Sequence, residues 1–142
     1  MIAIRALTVH RPWASLILAP GGKDVENRSW DTKHRGLLVV HAGQAWDQAA
    51  ARHPTALGLT IDADQPVGYL GVVDLADVHH HRYCGGSLHG CRDWGEPDMY
   101  HWALANPRRF PASIPGPGRQ RLFTPPPAVL DAVAALTGQV TR

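Results

Sequence analysis

Three absences narrow the class of protein to which this sequence belongs. No stretch reaches the roughly 18 consecutive apolar residues of a membrane-spanning helix, so we expect no membrane insertion. The two cysteines, Cys84 and Cys91, are too few for the disulfide framework of a small secreted domain. The first residues also lack the basic start and apolar stretch of a signal peptide, so we expect a cytoplasmic protein.

An excess of charge of one sign is also missing. The formal net charge is +2 at pH 7, and the nine histidines add positive charge only below neutral pH. Basic residues occur in pairs, such as Arg108/Arg109 and Arg119/Arg121, and acidic residues concentrate in the segment 62–98. This balance does not indicate nucleic-acid binding by itself, because an ordinary solvated surface has the same composition.

The 142 residues suit one domain, 1–142, with a single sizeable core. Apolar and alternating patterns predict extended segments at 2–9, 24–30, 36–42, 67–78, 99–105 and 120–123. Proline and glycine positions help to delimit predicted helices at 13–19, 44–52 and 128–137, with loops at 53–66 and 79–97. About five strands with two or three peripheral helices predict an α+β fold, a small mixed barrel.

The segment GGKDVENRSW, residues 21–30, concentrates charged side chains between predicted elements. If it is extended, Glu26 and Arg28 project from the same face, and Lys23 can reach that face from the turn. Two cations around one carboxylate leave a net positive charge for a phosphate or a polar base edge. The same three residues are also suited to catalysis, with Lys23 polarising a carbonyl and Glu26 activating water. A salt-bridge network that only fixes the strand is the structural alternative.

The flanking segments give this motif a specific context. A predicted strand leads into HRPWASLI (10–17), which precedes the spaced motif G-x-K-x-x-E-x-R. SWDTKHRGLLVVHAG follows directly, and YHWALANPRRF and GRQRLF come later in the chain. In this order, over roughly residues 4–123, the segments resemble the ASCH domain family.

The resemblance implies a β-barrel similar to the PUA domain, with Lys23, Glu26 and Arg28 lining a cleft beside the barrel. It also implies that the chain binds RNA or nucleotides, with no cofactor. The combination of HRPWASLI and ENRSW is most similar to the branch found in a eukaryotic transcription coactivator, where nucleic-acid binding is the expected role. Another branch hydrolyses the amide of acetylated cytidine nucleosides, and some members are described as ribonucleases.

The sequence differs from the amidohydrolase branch at one position, and this difference makes binding a stronger prediction than hydrolysis. In that branch a threonine nucleophile follows the lysine by three residues, and this chain has Glu26 at that position. A carboxylate does not simply replace a hydroxyl as an acyl-accepting nucleophile. Ser29 and Thr32 are nearby hydroxyls, but neither has the family spacing. The sequence therefore favours a binding domain, with hydrolysis of a modified nucleoside amide or an RNA phosphodiester as the alternative.

Aromatic and basic residues near the motif are candidates for contacts with nucleic acid. Trp30, between polar neighbours, is the best candidate for stacking on a base, whereas Trp102 and Trp13 are more typical of core packing. Lys33, Arg35 and Arg108 are candidates for guiding phosphate. The full predicted set is His10, Arg11, Trp13, Lys23, Glu26, Arg28, Trp30, Thr32, Lys33, Arg35, His41 and Arg108.

Histidines and cysteines raise the question of zinc. They are His79, His80, His81, Cys84, His89, Cys91 and His101. Structural zinc sites usually show closer pairs such as Cys-x2-Cys, and the resembled family needs no metal. We therefore predict no metal site, with a polar loop at the cleft rim as the simpler interpretation. A zinc-stabilised adaptor domain that meets a protein partner is the third hypothesis.

Overall fold

The computed structural model describes residues 3–53, 65–84 and 91–138. Its strands are β1 (Arg5–Arg11), β2 (Val25–Arg28), β3 (Gly36–Trp46), β4 (Gly68–His80) and β5 (Tyr100–Ile114). Its helices are α1 (Trp13–Leu18), α2 (Cys91–Trp94) and α3 (Pro127–Thr137), with short 3-10 helices at Gln48–Arg52 and His81–Tyr83. Within the described part of the chain, every helix is too short or too polar to cross a membrane.

The five strands form one curled sheet in the order β1-β3-β4-β5-β2. β1 and β3 are parallel, and the other neighbouring strands are antiparallel. The register between β4 and β5 shifts at three places, and such irregularities bend a strand and increase its twist. The two edge strands approach each other, since Arg28 of β2 donates to the carbonyl oxygen of Thr8 in β1 at 2.8 Å. The predicted α+β, PUA-like barrel of five strands with peripheral helices is confirmed as a curled half-barrel.

Alternation along β3 explains why its sequence is apolar on both faces. Leu38 and Val40 join a core cluster that includes Ile17 of α1. Leu37 and Val39 join the opposite cluster, which includes Val129 and Val133 of α3. Because a helix covers each side, the strand needs apolar side chains at successive positions. The half-barrel therefore has an α1 side and an α3 side.

The predicted helix at 44–52 is wrong in its first half. β3 continues through Trp46, which pairs with Arg11 of β1, and the N–H of Asp47 donates to the carbonyl oxygen of Arg11 at 2.7 Å. Only Gln48–Arg52 is helical, as a 3-10 turn that the Asp47 side chain caps at Ala49. Pairing with β1 thus overrides the helical propensity of the alanine-rich segment.

Two further strand predictions differ from the structure, and one loop lies mostly outside its description. β5 extends to Ile114 rather than ending at residue 105, since β4 provides a partner along its length. Asn106 and Pro107 fall where the β4–β5 register shifts, which accommodates a proline within a strand. The predicted strand at 120–123 is reduced to an isolated bridge between Ala6 and Phe123. Residues 54–64 of the predicted loop at 53–66 lie outside the described residues.

We expect the substitution Gly71→Ala to destabilise the domain. A Cβ at this position of β4 would overlap the carbonyl oxygen of Arg108 and lie 2.9 Å from the Cα of Arg109. Because both are backbone atoms of β5, the strands must separate, which costs about 2 kcal/mol in unfolding free energy. Chemical denaturation measures this loss. Gly43→Ala is the matched control, since its Cβ meets only the Thr8 methyl at 3.2 Å, and equal losses in both variants would contradict the prediction.

Candidate functional site

Lys23, Glu26 and Arg28 meet in a buried ion cluster, here called the charged triad. Lys23 follows α1, and its N–H donates to the carbonyl oxygen of Leu16 at 2.9 Å. The turn requires Gly22, because a Cβ there would overlap the same carbonyl oxygen. From this turn, Lys23 Nζ donates to Glu26 Oε1 at 2.8 Å. Arg28 Nε donates to Glu26 Oε2 at 3.0 Å, since β2 places both side chains on one face.

The electrostatics of the charged triad keep its carboxylate ionised. Glu26 is 7% exposed and Lys23 is 5% exposed. Burial raises the pKa of Glu26, but the charges and hydrogen bonds of Lys23 and Arg28 outweigh it and hold the pKa below the ordinary 4.5. Each Glu26 oxygen already accepts a hydrogen bond from a cation. The triad therefore has one positive charge in excess and a carboxylate with little basicity.

The charged triad lies at the floor of a cavity of about 1210 Å³. Strands β1, β2 and β3 contribute side chains, and the segments 94–96 and 115–121 complete much of the lining. The volume exceeds the roughly 300 to 1,000 Å³ of ordinary small-molecule sites. A ligand of nucleotide size or larger therefore has room beside the sheet.

Trp30 and Arg121 form a stacked pair in the cavity lining. The Arg121 guanidinium lies 4.4 Å from the centroid of the Trp30 ring, and the edge of Trp30 packs on Trp102 at 4.8 Å. Arg121 has a φ of 59°, a left-handed conformation that non-glycine residues adopt uncommonly. The Arg121 guanidinium thus lies over the Trp30 ring, and Arg121 is the exposed member of the pair.

A second aromatic group lines the cavity around Trp13 and Trp94. Trp13 Nε1 donates to Asp47 Oδ2 at 2.6 Å, and this hydrogen bond lowers the pKa of Asp47. The His53 ring stacks on Trp94 at 5.0 Å and 17°, and Lys23 Nζ lies 5.5 Å from the Trp13 ring. Burial and the Lys23 charge lower the pKa of His53, so its imidazole is neutral at pH 7.

Residues 115–118, here called the Pro-Gly segment, form another part of the lining. His41 Nε2 donates to the carbonyl oxygen of Gly116 at 2.9 Å, so its Nδ1 accepts from the Thr8 hydroxyl at 3.1 Å. Tyr69 donates to the carbonyl oxygen of Pro117 at 2.8 Å. A Cβ at Gly118 would lie 2.6 Å from the His41 ring, so glycine allows this close approach.

Comparison with known proteins identifies the family of this chain. The model of the ASCH domain matches residues 7–112, which include most of β1, the charged triad and most of β5. The chain belongs to the ASCH domain family. It is also similar to the proteins named Activating signal cointegrator 1 from Homo sapiens and Mus musculus, which are 41% and 40% identical to it over 80 residues. Those alignments cover 50% of this chain and 14% of each relative.

This ASCH domain brings seven of the predicted site residues to the cavity. The structure places His10, Trp13, Lys23, Glu26, Arg28, Trp30 and His41 in its lining. Trp13 therefore lines the cavity even though its sequence context was typical of core packing. His41 is buried, and its two ring nitrogens bond Gly116 of the Pro-Gly segment and the Thr8 hydroxyl of β1.

The remaining five predicted residues are not part of the lining. Arg11 donates to the carbonyl oxygens of Gln44 and Gln65, and Arg108 pairs with Asp74 at 2.8 Å. The Thr32 hydroxyl accepts from the N–H of His34, and Arg35 donates to the carbonyl oxygens of Thr32 and His34. Lys33 is exposed in the same segment. The structure thus shows intramolecular roles for most of this group.

The structure adds lining residues that were not predicted for the site. Arg119 and Arg121 stood out only as a basic pair within a resembling segment, GRQRLF. Asp47 lay inside the predicted helix at 44–52, and its hydrogen bond with Trp13 joins segments 34 positions apart. Trp94 had no sequence signal, because it reaches the cavity through α2 in a segment predicted to be a loop.

We expect Glu26→Gln to lower the unfolding free energy by about 3 kcal/mol at pH 7, because it leaves Lys23 and Arg28 without their carboxylate. Since the folded pKa of Glu26 is depressed, its stabilising effect is present above the ordinary 4.5 and is lost as pH falls through the folded value. The difference between wild type and variant should therefore be constant above about pH 5.5 and shrink in acid. Denaturation at several pH values measures it.

The carboxylates of Asp47 and Asp77, whose pKa values are also lowered, are present in both proteins and cancel in this difference. A gap that stays constant from pH 7 to pH 3 would show that the Glu26 charge does not stabilise the fold.

Proposed function

We propose that this ASCH domain binds RNA or a nucleotide in the cavity, with a base stacked on Arg121. The stacked pair of Arg121 and Trp30 is the observation that carries the proposal. Unstacked bases pack on arginine planes as well as on aromatic rings, and the cation–π contact with Trp30 helps to hold this guanidinium in place. The cavity therefore offers a flat, cationic surface that suits a base attached to a phosphate.

The charged triad supplies the polar part of this binding site. Its excess positive charge is fixed at the cavity floor, where a phosphate or a carbonyl group of a base is a suitable partner. Two of the three N–H groups of Lys23 bond Val25 and Glu26, which leaves one for a ligand among the described contacts. The PUA-like fold of the family is associated with RNA binding, which supports the same assignment.

Two substitutions of Arg121 should distinguish the contribution of stacking to RNA affinity from the contribution of charge. We expect Arg121→Ala to weaken binding of a short single-stranded RNA about tenfold. The slope of the logarithm of the binding constant against the logarithm of the salt concentration should become smaller by about one. Arg121→Lys keeps the charge but removes the plane, so it should retain the salt dependence and still lose affinity. Fluorescence anisotropy at several salt concentrations measures both quantities.

Arg35→Ala is the matched control, because it removes one positive charge from an exposed residue outside the lining. We expect it to change affinity less than about twofold. Equal effects of Arg35→Ala and Arg121→Ala, or binding that is independent of salt, would exclude the cavity as the nucleic-acid site.

Hydrolysis is less well supported by the geometry of the charged triad. A general base works best with a pKa near the operating pH, whereas the pKa of Glu26 is below its ordinary value. Both oxygens of Glu26 are also occupied by cations. The carboxylate is therefore better suited to orienting Lys23 and Arg28 than to taking a proton from water.

We accordingly expect no turnover of acetylated cytidine or short RNA by the wild-type chain, and a moderate change of RNA affinity in Glu26→Gln. The measurement combines product analysis with parallel binding, at a temperature where circular dichroism shows that the variant is folded. Robust wild-type turnover that falls by about two to four orders of magnitude in Glu26→Gln would establish the hydrolase instead.

A further inference from the structure

A second cluster of reactive side chains lies at one end of the β4–β5 pairing, outside the cavity lining. His79 and His101 are opposite each other in the pairing of β4 with β5. Cys84 follows the 3-10 helix after β4, and Cys91 begins α2. One ligand atom from each of these four residues lies within 4.8 Å of all the others. The two cysteines are thiols rather than a disulfide.

His79 is oriented as a metal-binding histidine usually is. Its Nδ1 bonds the Asp77 carboxylate at 2.8 Å, and its Nε2 lies 3.4 Å from Cys91 Sγ. A carboxylate on the far nitrogen fixes the tautomer and the ring orientation of histidines that bind zinc. The ring thus presents its Nε2 to the thiols.

His101 provides a second observation, independent of His79, that points to a ligand at this cluster. It is 1% exposed, and its Nε2 donates to the carbonyl oxygen of Glu96 at 2.8 Å. Its other nitrogen, Nδ1, has no hydrogen-bond partner among the described residues, although buried polar atoms normally have one. Gly95 permits this position, since a Cβ there would lie 2.6 Å from His101 Cε1. Because Nε2 carries the proton that it donates to Glu96, Nδ1 of the neutral ring has a free lone pair, which would bind a metal ion.

We propose that His79, Cys84, Cys91 and His101 bind one zinc ion in a tetrahedral site. Two thiolates and two imidazoles form a donor set that zinc prefers. Zinc bonds of about 2.3 Å to sulfur and 2.0 to 2.1 Å to nitrogen place tetrahedral ligand atoms roughly 3.3 to 3.8 Å apart. The ligand atoms already lie within 4.8 Å of one another, so small side-chain shifts complete the geometry.

This site departs from the sequence-based expectation of no metal. The sequence has no close pair of cysteines, since residues 85–90 separate Cys84 from Cys91. The histidine pair is made by strand register instead, with His79 opposite His101. His80 and His81 are not in the cluster, and His89 lies outside the described residues.

The zinc would hold α2 against the sheet and thereby position part of the cavity. α2 runs from the ligand Cys91 to Trp94, which lines the cavity. Asn27 of β2 ties down the same segment, since it donates to the carbonyl oxygen of Trp94 and accepts from the N–H of Glu96, both at 2.9 Å. The role is structural, because four protein ligands leave no position for a substrate.

The test is the metal content of the full chain, purified without a metal-affinity step, loaded with zinc and dialysed. We expect about one equivalent of zinc by elemental analysis, and removal by a strong chelator should lower the melting temperature. Cobalt added to the metal-free protein should give the visible bands of a tetrahedral site and thiolate-to-cobalt charge transfer. The variants Cys84→Ser/Cys91→Ser and His79→Gln should lose the zinc.

His80→Gln is the matched control, because it removes the adjacent imidazole and should retain the metal. The cobalt spectrum of the wild type keeps the proposal testable even if a variant fails to fold. Wild-type protein that binds no zinc and shows no tetrahedral cobalt spectrum would overturn it. Zinc retained in the double cysteine variant would also overturn it, because the ion would then occupy another site.

Discussion

The fold of this ASCH domain depends on a buried carboxylate that two cations keep ionised. β1 and β2 are the edges of the sheet, and no backbone ladder joins them within the described residues. Glu26 holds Arg28, which reaches the carbonyl oxygen of Thr8 in β1, and it holds Lys23 at the end of α1. The half-barrel is therefore closed by side chains and charge where a full barrel would use strand pairing. The same closure places the excess positive charge at the cavity floor.

Sequence patterns within a few residues were sufficient to predict the approach of Lys23, Glu26 and Arg28 to one another and the presence of most of the strands. The alternation in β2 placed Glu26 and Arg28 on one face, and Gly22 marked the turn from which Lys23 reaches them. The apolar run at 36–42 predicted a strand, and β3 is indeed a strand with buried side chains on both faces. These features depend on neighbours within a few residues, so the sequence alone carries them.

Features that depend on long-range register were missed or assigned differently. The stacking of Arg121 on Trp30 joins segments about 90 positions apart, and no pattern near either residue indicates it. The pairing of Trp46 with Arg11 turned a helical pattern into a strand. Similarly, the approach of His79 to His101 follows from the β4–β5 register rather than from spacing between ligands. Arg108 was expected to guide phosphate, but in the structure its guanidinium donates a hydrogen bond to the carboxylate of Asp74 on the neighbouring strand.

The Pro-Gly segment has a consequence for the thermodynamics of ligand binding. Its composition, Pro115-Gly116-Pro117-Gly118, is typical of a flexible turn. In the folded domain, hydrogen bonds from His41 and Tyr69 fix its carbonyl groups, and proline restricts its φ angles. Because this segment is ordered before a ligand arrives, binding does not have to overcome its conformational entropy. In the proposed binding site, the rigidity of this segment favours ligands that already fit its shape.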